Sequence, residues 1–561
     1  MRDGPEPDAV QIIPAHRSAV WSRLRLMVRD WKANSILPSA MGLLFFAMEC
    51  SRYFSLFRRA DDSKLTEWMP DDAFYYLVLG KNFAILHKWT FDGIAPATGF
   101  HLLWGYMIAL IYWLAPHISL HQIFTLLYFF AALLMAASLS LTCVMVRRLF
   151  GPFSVLGPGV VFCTSLAAQL PNFLVESGLV VFFSCLAVYT VFGGDKPLSR
   201  RTLAAALGVG LMGMLSRSDF GLLPLVVFIV SLAIDRRLQA PRVRLTGSIL
   251  AGSILGLMLG VGHTYLVSGR LMQSSVSVKR QWASLNGAVL GHSHSWVSAR
   301  SAVAPLLEVS GGEPYVVWHP FGHRPVLHLV GATLLFLIVA GAALSTLRRR
   351  SAITAFCAMG GVVIAYIALY AYDGAIQPWY FANYMAPFSV LAGSIFAVRI
   401  RAWWALSILV LAVWLYKASP LRRGRTPIWP QQVGFYKAGL YLREHPELKP
   451  VAAWNAGISS YMAGGGVINV DGLVNDDAAP YVLSNSLRKY LAERHMDRVM
   501  DDSIMWDSEL TRVHGGYARD VLTRCIDSRI NVWQVPNPQL VGDHILLSTL
   551  DPKCVDRVDD R

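Results

Sequence analysis

The 561-residue chain is 54% hydrophobic, only 15% charged, and carries a formal net charge of +14. A soluble protein of this size would be about 25% charged, so a soluble enzyme is excluded. A nucleic-acid binder is excluded too, because the basic residues gather in short loops between apolar runs.

Those runs are long enough to cross ~30 Å of hydrocarbon and too long and uniformly apolar for barrel strands. They predict an all-α polytopic membrane protein. Residues 1–34 form a basic arm, with Arg23, Arg25, Arg29 and Lys32. The arm reads as cytoplasmic, and it is too long and polar before Ser35 for a cleaved signal peptide. Eleven spans follow, at about 35–55, 120–146, 153–170, 172–193, 202–216, 220–234, 245–268, 326–347, 352–372, 383–398 and 402–416. This count puts Arg147-Arg148, "PLSRR", "DRRLQAPRVR", "RRR" at 348–350 and "RIR" at 399–401 all in the cytoplasm. The apolar stretch 100–115, with His101, Trp104 and Trp113, is short. It is assigned to the outer interface, because a crossing there would break the alternation at Arg147-Arg148. Two long outer loops remain, 56–119 and 269–325, with a short one from Tyr370 to Tyr384. Gly252, Gly256 and Gly260 share one helix face, a spacing for close helix packing.

From about 425 charge returns. "PVAAWNAG" and "GGGVINVDGLVN" read as strands followed by turns, and "SNSLRKYLAERH" as a helix. Residues 425–561 are therefore expected to form an extracytoplasmic α/β domain over the outer ends of a transmembrane domain, 35–424. Of the seven cysteines, Cys50, Cys143, Cys163, Cys185 and Cys357 lie in apolar segments and read as inert. Cys525 and Cys554 can pair if this domain is extracytoplasmic.

Ionisable groups in such a chain are costly and usually functional. Here they gather toward the outer side: Glu49 and Arg52, Asp71 and Asp72, Glu176, Arg217 and Asp219, Lys279 and Arg280, and Asp373 beside Trp379 and Tyr380. A carboxylate next to a bound hydroxyl can act as general base. Cations can hold a phosphate leaving group, and Trp379 and Tyr380 can stack on a sugar. A transporter would place its polar site nearer the midplane. Each residue also has a plainer role. The Asp pair can cap a helix, Arg217 and Asp219 can close a turn, and His101 can be an interfacial histidine. Trp379 and Tyr380 can belong to the aromatic belt, and Lys279 can contact lipid phosphate. His292, His294, His319 and His323 lack the helical spacing of a zincin, which argues against a metal there.

"DDAFYYLVLGKNFA" followed by "WTFDGIAPATGFHLLW" resembles the first outer loop of the GT-C superfamily, membrane glycosyltransferases that use polyprenyl-phosphate sugars. The nearest subgroup is bacterial and of the protein-mannosyltransferase and arabinofuranosyltransferase type. "VESGL" at 175–179, "SRSD" at 216–219, "SSVSVK" at 274–279, "QPWYF" and "NVDGLVN" also resemble family segments, in the same order, from about 35 to 500. Leu102, Thr98 and Ser177 depart from the usual proline, asparagine and threonine. The resemblance implies a GT-C-like fold and an inverting transfer from a polyprenyl-phosphate-sugar donor to an envelope glycan, lipid or protein. It implies an active site on the outer face of a bacterial inner (plasma) membrane. Asp71 or Asp72 would be the base. Lys279 and Arg217 would hold the phosphate, Glu176 and Asp219 would line the cavity, and His101, Trp379 and Tyr380 would contact substrate. The resemblance fixes no cofactor, and a divalent cation (Mg or Mn) beside the acids stays open. The rival reading is a lipid or glycan transporter, or a non-catalytic envelope scaffold retaining the fold. A polymerase or ligase using a diphospho-linked glycan is a third, though it would call for more outer cations than the loops hold.

Overall fold

A computed structural model describes residues 15–194, 198–237, 240–289, 349–371, 377–396, 427, 429–507, 517, 522–534 and 544–556. The expected spans 326–347 and 402–416, the four loop histidines and Asp373 lie outside these residues.

The first half is helical. A long helix α1 (Ala15–Leu56) leads into three short ones, α2 (Asp62–Thr66), α3 (Asp71–Leu86) and α4 (Leu102–Leu114). Then come α5 (Leu120–Phe150), α6 (Leu156–Phe162), α7 (Ser165–Gln169), α8 (Ser177–Phe192), α9 (Arg200–Ser216), α10 (Leu222–Asp235), α11 (Pro241–Ser268) and α12 (Ser274–Val289). Helices Arg350–Ala371 and Ala382–Ile395 complete the apolar part.

Local chemistry sets several boundaries. At the start of α5 the Ser119 hydroxyl accepts from the Gln122 backbone N–H at 3.2 Å, and the Gln122 side-chain Oε1 accepts from the Ser119 N–H at 2.9 Å. This reciprocal box satisfies two of the orphan donors of a helix start. The helix stops at Gly151, whose φ of 106° suits glycine. Helices α9 and α11 pack closely. A methyl group on Gly252 would overlap the Leu207 carbonyl, and one on Gly256 would crowd Met214 and the Leu211 carbonyl, while Gly260 faces open space. Two of the three glycines spaced four apart thus serve close packing.

Among the described residues, four helices are long and apolar enough to cross a membrane: Leu120–Phe150, Ser218–Asp235, Pro241–Ser268 and Arg350–Tyr370. The chain is a multi-pass membrane protein. The segment expected as a span at 153–170 is instead broken. Pro152–Phe162 and Ala167–Phe173 meet at 61°, because the Thr164 hydroxyl accepts from the Ala167 N–H at 3.1 Å and starts a new helix there. The interfacial stretch 100–115 forms α4, whose 13 residues reach about 20 Å, short of the ~30 Å needed to cross.

The C-terminal part carries a five-stranded sheet in the order β2-β1-β3-β5-β4. The strands are β1 (Val451–Ala453), β2 (Val467–Asn469), β3 (Arg498–Asp502), β4 (Ile526–Gln534) and β5 (His544–Leu550). β1 runs parallel to β2 and β3, while β5 is antiparallel to β3 and β4. All residues of β1 and β2 are buried, as expected where strands are covered on both faces. Helices Gln432–Glu444 and Gly457–Ala463 pack on one another and reach back to α2 and α3. A Cys525–Cys554 disulfide spans 29 residues.

Polar bonds join this sheet to the loop before α4. Asp476 accepts from the Thr98 hydroxyl at 2.8 Å and from the Ser274 hydroxyl at 2.6 Å, and its own N–H donates to the Pro96 carbonyl at 3.0 Å. The segment Asn469–Asp476 therefore touches both α12 and the first outer loop.

Candidate active site

A cavity of ≈ 660 Å³ opens where these elements meet. Asp72, Tyr76, His101, Glu176, Arg217, Asp219, Lys279, Trp379 and Tyr380 all line it. Every side chain singled out from the sequence as a site residue reaches it except Asp71.

The two aspartates separate because they occupy successive positions in the first turn of α3, about 100° apart around its axis. Asp72 faces the cavity. Burial pushes its pKa up, the Lys279 ammonium pulls it down, and Glu176 pushes it up again. Asp71 turns the other way. Its two carboxylate oxygens accept the N–H groups of Gly457 at 2.9 Å and Ile458 at 2.7 Å. It is thus a cap on the helix Gly457–Ala463, one of the plainer roles open to the pair.

Opposite Asp72 stands a charged cluster. Glu176 precedes α8 and is buried. One of its oxygens lies 3.4 Å from the Arg217 guanidinium and 3.5 Å from His101, and the other accepts the Tyr76 hydroxyl at 3.0 Å. Arg217 ends α9 in extended backbone, and its Nε donates to Asp219 at 3.0 Å. The same Asp219 oxygen accepts the Tyr370 hydroxyl at 2.5 Å and the Asn383 amide at 2.9 Å. These bonds hold a buried cation without leaving it uncompensated. Burial lowers the pKa of His101, and Glu176 opposes the shift.

Tyr380 gathers the second cation. Its hydroxyl accepts from Lys279 Nζ at 3.0 Å, while the Arg217 guanidinium carbon lies 4.0 Å from its ring centroid. The turn Pro378–Phe381 sets this ring, stacked on Tyr370 at 5.2 Å. Trp379 packs edge-on against Phe173 and near Trp429, forming a wall.

The fold can now be compared with known structures. ArnT from Cupriavidus metallidurans, bound to undecaprenyl phosphate, aligns with a TM-score of 0.51 at 12% identity, over 90% of this chain and 97% of that one. Its apo form aligns at 0.50 with 13% identity, over 91% and 98%. The chain shares its fold with ArnT. The archaeal oligosaccharyltransferase AglB from Archaeoglobus fulgidus, in complex with an inhibitory peptide and a dolichol-phosphate, gives 0.49 at 13% identity, over 86% and 71%. Residues 426–536 match a family described as a domain of unknown function, DUF8728. No curated protein matches the sequence.

On this frame the cavity has lining residues that sequence reasoning did not assign to it. Tyr75, Tyr76, Gln273, Tyr370, Leu473 and Val474 also face it. The position of Tyr76, four after Asp72 on one helix face, was the available signal. Leu473 and Val474 lie in the resembling segment "NVDGLVN", but nothing local placed them at the cavity, since they arrive from about 400 residues away in sequence. Glu49 and Arg52 do not join the cavity. They form a separate buried pair 3.6 Å apart, with the Tyr128 hydroxyl donating to Glu49 at 2.6 Å. Among the described residues no three His, Cys, Asp or Glu side chains gather as a metal site. Glu176, the second carboxylate facing Asp72, is already engaged by Arg217, His101 and Tyr76. The donor set does not fit a divalent cation.

Proposed function

We propose that the chain is an inverting glycosyltransferase that moves one sugar from a polyprenyl-phosphate donor to a hydroxyl of an envelope glycan, lipid or protein. The observation that carries this reading is the pairing of one cavity carboxylate, Asp72, with two cations, Arg217 and Lys279, that meet on a single tyrosine ring. The shared fold with ArnT, whose structure holds undecaprenyl phosphate, supports the donor class.

In the reaction Asp72 takes the proton of the acceptor hydroxyl as that oxygen bonds to the anomeric carbon. The bond from that carbon to the donor phosphate oxygen breaks, and its electron pair leaves on polyprenyl phosphate. Arg217 and Lys279 neutralise the charge that develops there. Attack and departure on opposite faces of the sugar give inversion. A carboxylate whose pKa burial has raised is a stronger base near neutral pH. Trp379 meets the sugar or the lipid headgroup from the cavity wall, and Tyr380, whose ring carries Arg217 and stacks on Tyr370, meets it beside the two cations. Glu176 and Asp219 orient Arg217, and His101 meets the substrate from the loop before α4.

Residues 1–34 are the cytoplasmic arm in this reading, 35–424 the transmembrane domain of about eleven helices, and 425–561 an extracytoplasmic α/β domain. The Cys525–Cys554 disulfide supports that sidedness, because such bonds persist in oxidising compartments. The test is donor turnover by protein in nanodiscs, with a panel of polyprenyl-phosphate sugars and release of polyprenyl phosphate as the readout. Release that disappears in Asp72→Asn establishes the reading. Absence of release from every donor rejects it in favour of a transporter or scaffold.

A further inference from the structure

The helix α3 lies between the cavity and the C-terminal sheet, and its two sides make different contacts. Asp72 and Tyr76, one turn apart, face the cavity. Asp71 and Tyr75, also one turn apart, hold the C-terminal part, and of these two only Tyr75 also borders the cavity. The Tyr75 hydroxyl donates to Asp471 at 2.9 Å and accepts from the Asn469 amide at 3.3 Å. Phe74 adds an edge-on contact with Tyr461 at 5.6 Å.

The first turn of α3 has no cap of its own. Pro70 stands at the cap position and makes no side-chain hydrogen bond to the turn. An uncapped first turn frays readily, yet this turn carries the cavity carboxylate. What holds it comes from the C-terminal part: the Gln432 side-chain oxygen accepts from the Asp71 N–H at 3.1 Å, and the Asp71 carboxylate binds two N–H groups of the helix Gly457–Ala463. The approach is close enough that a β-carbon on Gly457 would run into the Asp71 backbone oxygen and carboxylate.

We propose, on the basis of the transferase reading above, that Asp71 is a positioning residue. Through it the matched domain of unknown function fixes the first turn of α3, and so aims Asp72 at the acceptor hydroxyl. The C-terminal sheet is then part of the catalytic machinery rather than an appended domain. The substrate-facing contribution of that domain is the wall formed by Leu473 and Val474.

The contact can be broken from either side. Asp71→Asn puts an amide donor where one of two N–H groups needs an acceptor. Ile458→Pro removes the second N–H from the other partner, at an early helical position that tolerates proline, and changes no residue of α3 or of the cavity lining. Each is expected to lower kcat by ~10- to 100-fold with donor KM unchanged, the pattern of a misaimed group rather than lost binding. The double variant is expected to be no slower than the slower single variant, because both remove one interaction. Amide exchange across residues 454–463 is expected to rise at least ~10-fold in both. Unchanged kcat, multiplying effects, or unchanged exchange in Asp71→Asn would each overturn the proposal. Asp72→Asn is the control for the underlying reading. If it turns over normally while Asp71→Asn does not, the base has been misassigned. Exchange does not depend on turnover, so a wild type inactive on every donor rejects the transferase reading and the aiming role, and leaves only the docking contact to be read.

Discussion

Arg217 and Lys279 are brought together by Tyr380: one lies over its ring at 4.0 Å, and the other donates to its hydroxyl at 3.0 Å. The two cations come from α9 and α12, elements with no register between them. The ring therefore sets the spacing of the two cations in the proposed phosphate clamp. Tyr380→Phe keeps the ring and removes the acceptor, and a hydrogen bond to a charged group contributes about 1.5–3 kcal/mol. A loss of ~10-fold in kcat/KM is expected. Tyr380→Ala also removes the cation–π contact, which can reach about 2 kcal/mol when desolvated, for a combined loss of ~100-fold or more. Equal losses in both variants would show that the ring does not set the clamp.

The pH profile reports on Asp72. A base must be deprotonated, so kcat/KM is expected to fall as pH drops below its raised pKa. Lys279 lowers that pKa and Glu176 raises it. Lys279→Met is therefore expected to move the acid limb to higher pH, and Glu176→Gln to lower pH, whatever each does to the maximum rate. Asp72→Asn should lose roughly 10²–10⁴-fold in kcat and retain no acid limb. Limbs that do not move in opposite directions would count against Asp72 as the titrating group.

Stability should also depend on pH. Burial pushes Asp71 to about 7, with Asp72 and Asp501 adding to the rise, against the usual carboxylate value near 4. Burial pushes Asp471 to about 8, with Asp72 adding and the Tyr75 hydrogen bond opposing. Asp501 moves the same way, through burial and then Asp502, against hydrogen bonds from Tyr517, Trp454 and Asn455. Folded pKa values above the unfolded ones mean that the folded chain holds protons which the unfolded chain releases. The stabilisation is full below about pH 4, is lost as pH rises to 7–8, and changes no further above that. A Tm lower by more than about 5 °C at pH 8 than at pH 5 is expected, with a smaller difference in Asp471→Asn. A flat profile would contradict the burial of these groups.

The disulfide gives a test of sidedness and of stability together. Closing a loop of 29 residues contributes about 3–4 kcal/mol in the chain-entropy account. Cys525→Ser should lower the Tm of the C-terminal part and expose Cys554 to an impermeant thiol reagent added outside intact cells. Labelling of Cys554 only after lysis would place this part in the cytoplasm.

Much of this was legible beforehand. Repeated apolar runs required a membrane protein, because hydrocarbon admits only self-satisfied backbone. The clustering of Glu176, Arg217, Asp219, Lys279 and Tyr380 followed from the ends of spans alone. The short α4 could be read from its length. The break at Thr164 could not, since a threonine within an apolar run is compatible with an unbroken helix until its hydroxyl is seen capping a new one. Leu473 and Val474 could not be placed either, because loop closure over hundreds of residues leaves no local pattern.

The sequence by itself determined which chemistry was available, and on which side of the membrane its residues were expected. Charge, apolar length and the order of the polar motifs are local properties of the chain. It left Asp71 and Asp72 equivalent, two acids in one turn before three aromatics. Only the tertiary structure decided between them, because the choice depends on partners 386 and 387 residues away. The N–H groups of Gly457 and Ile458 take Asp71 out of the cavity and leave Asp72 facing the cations.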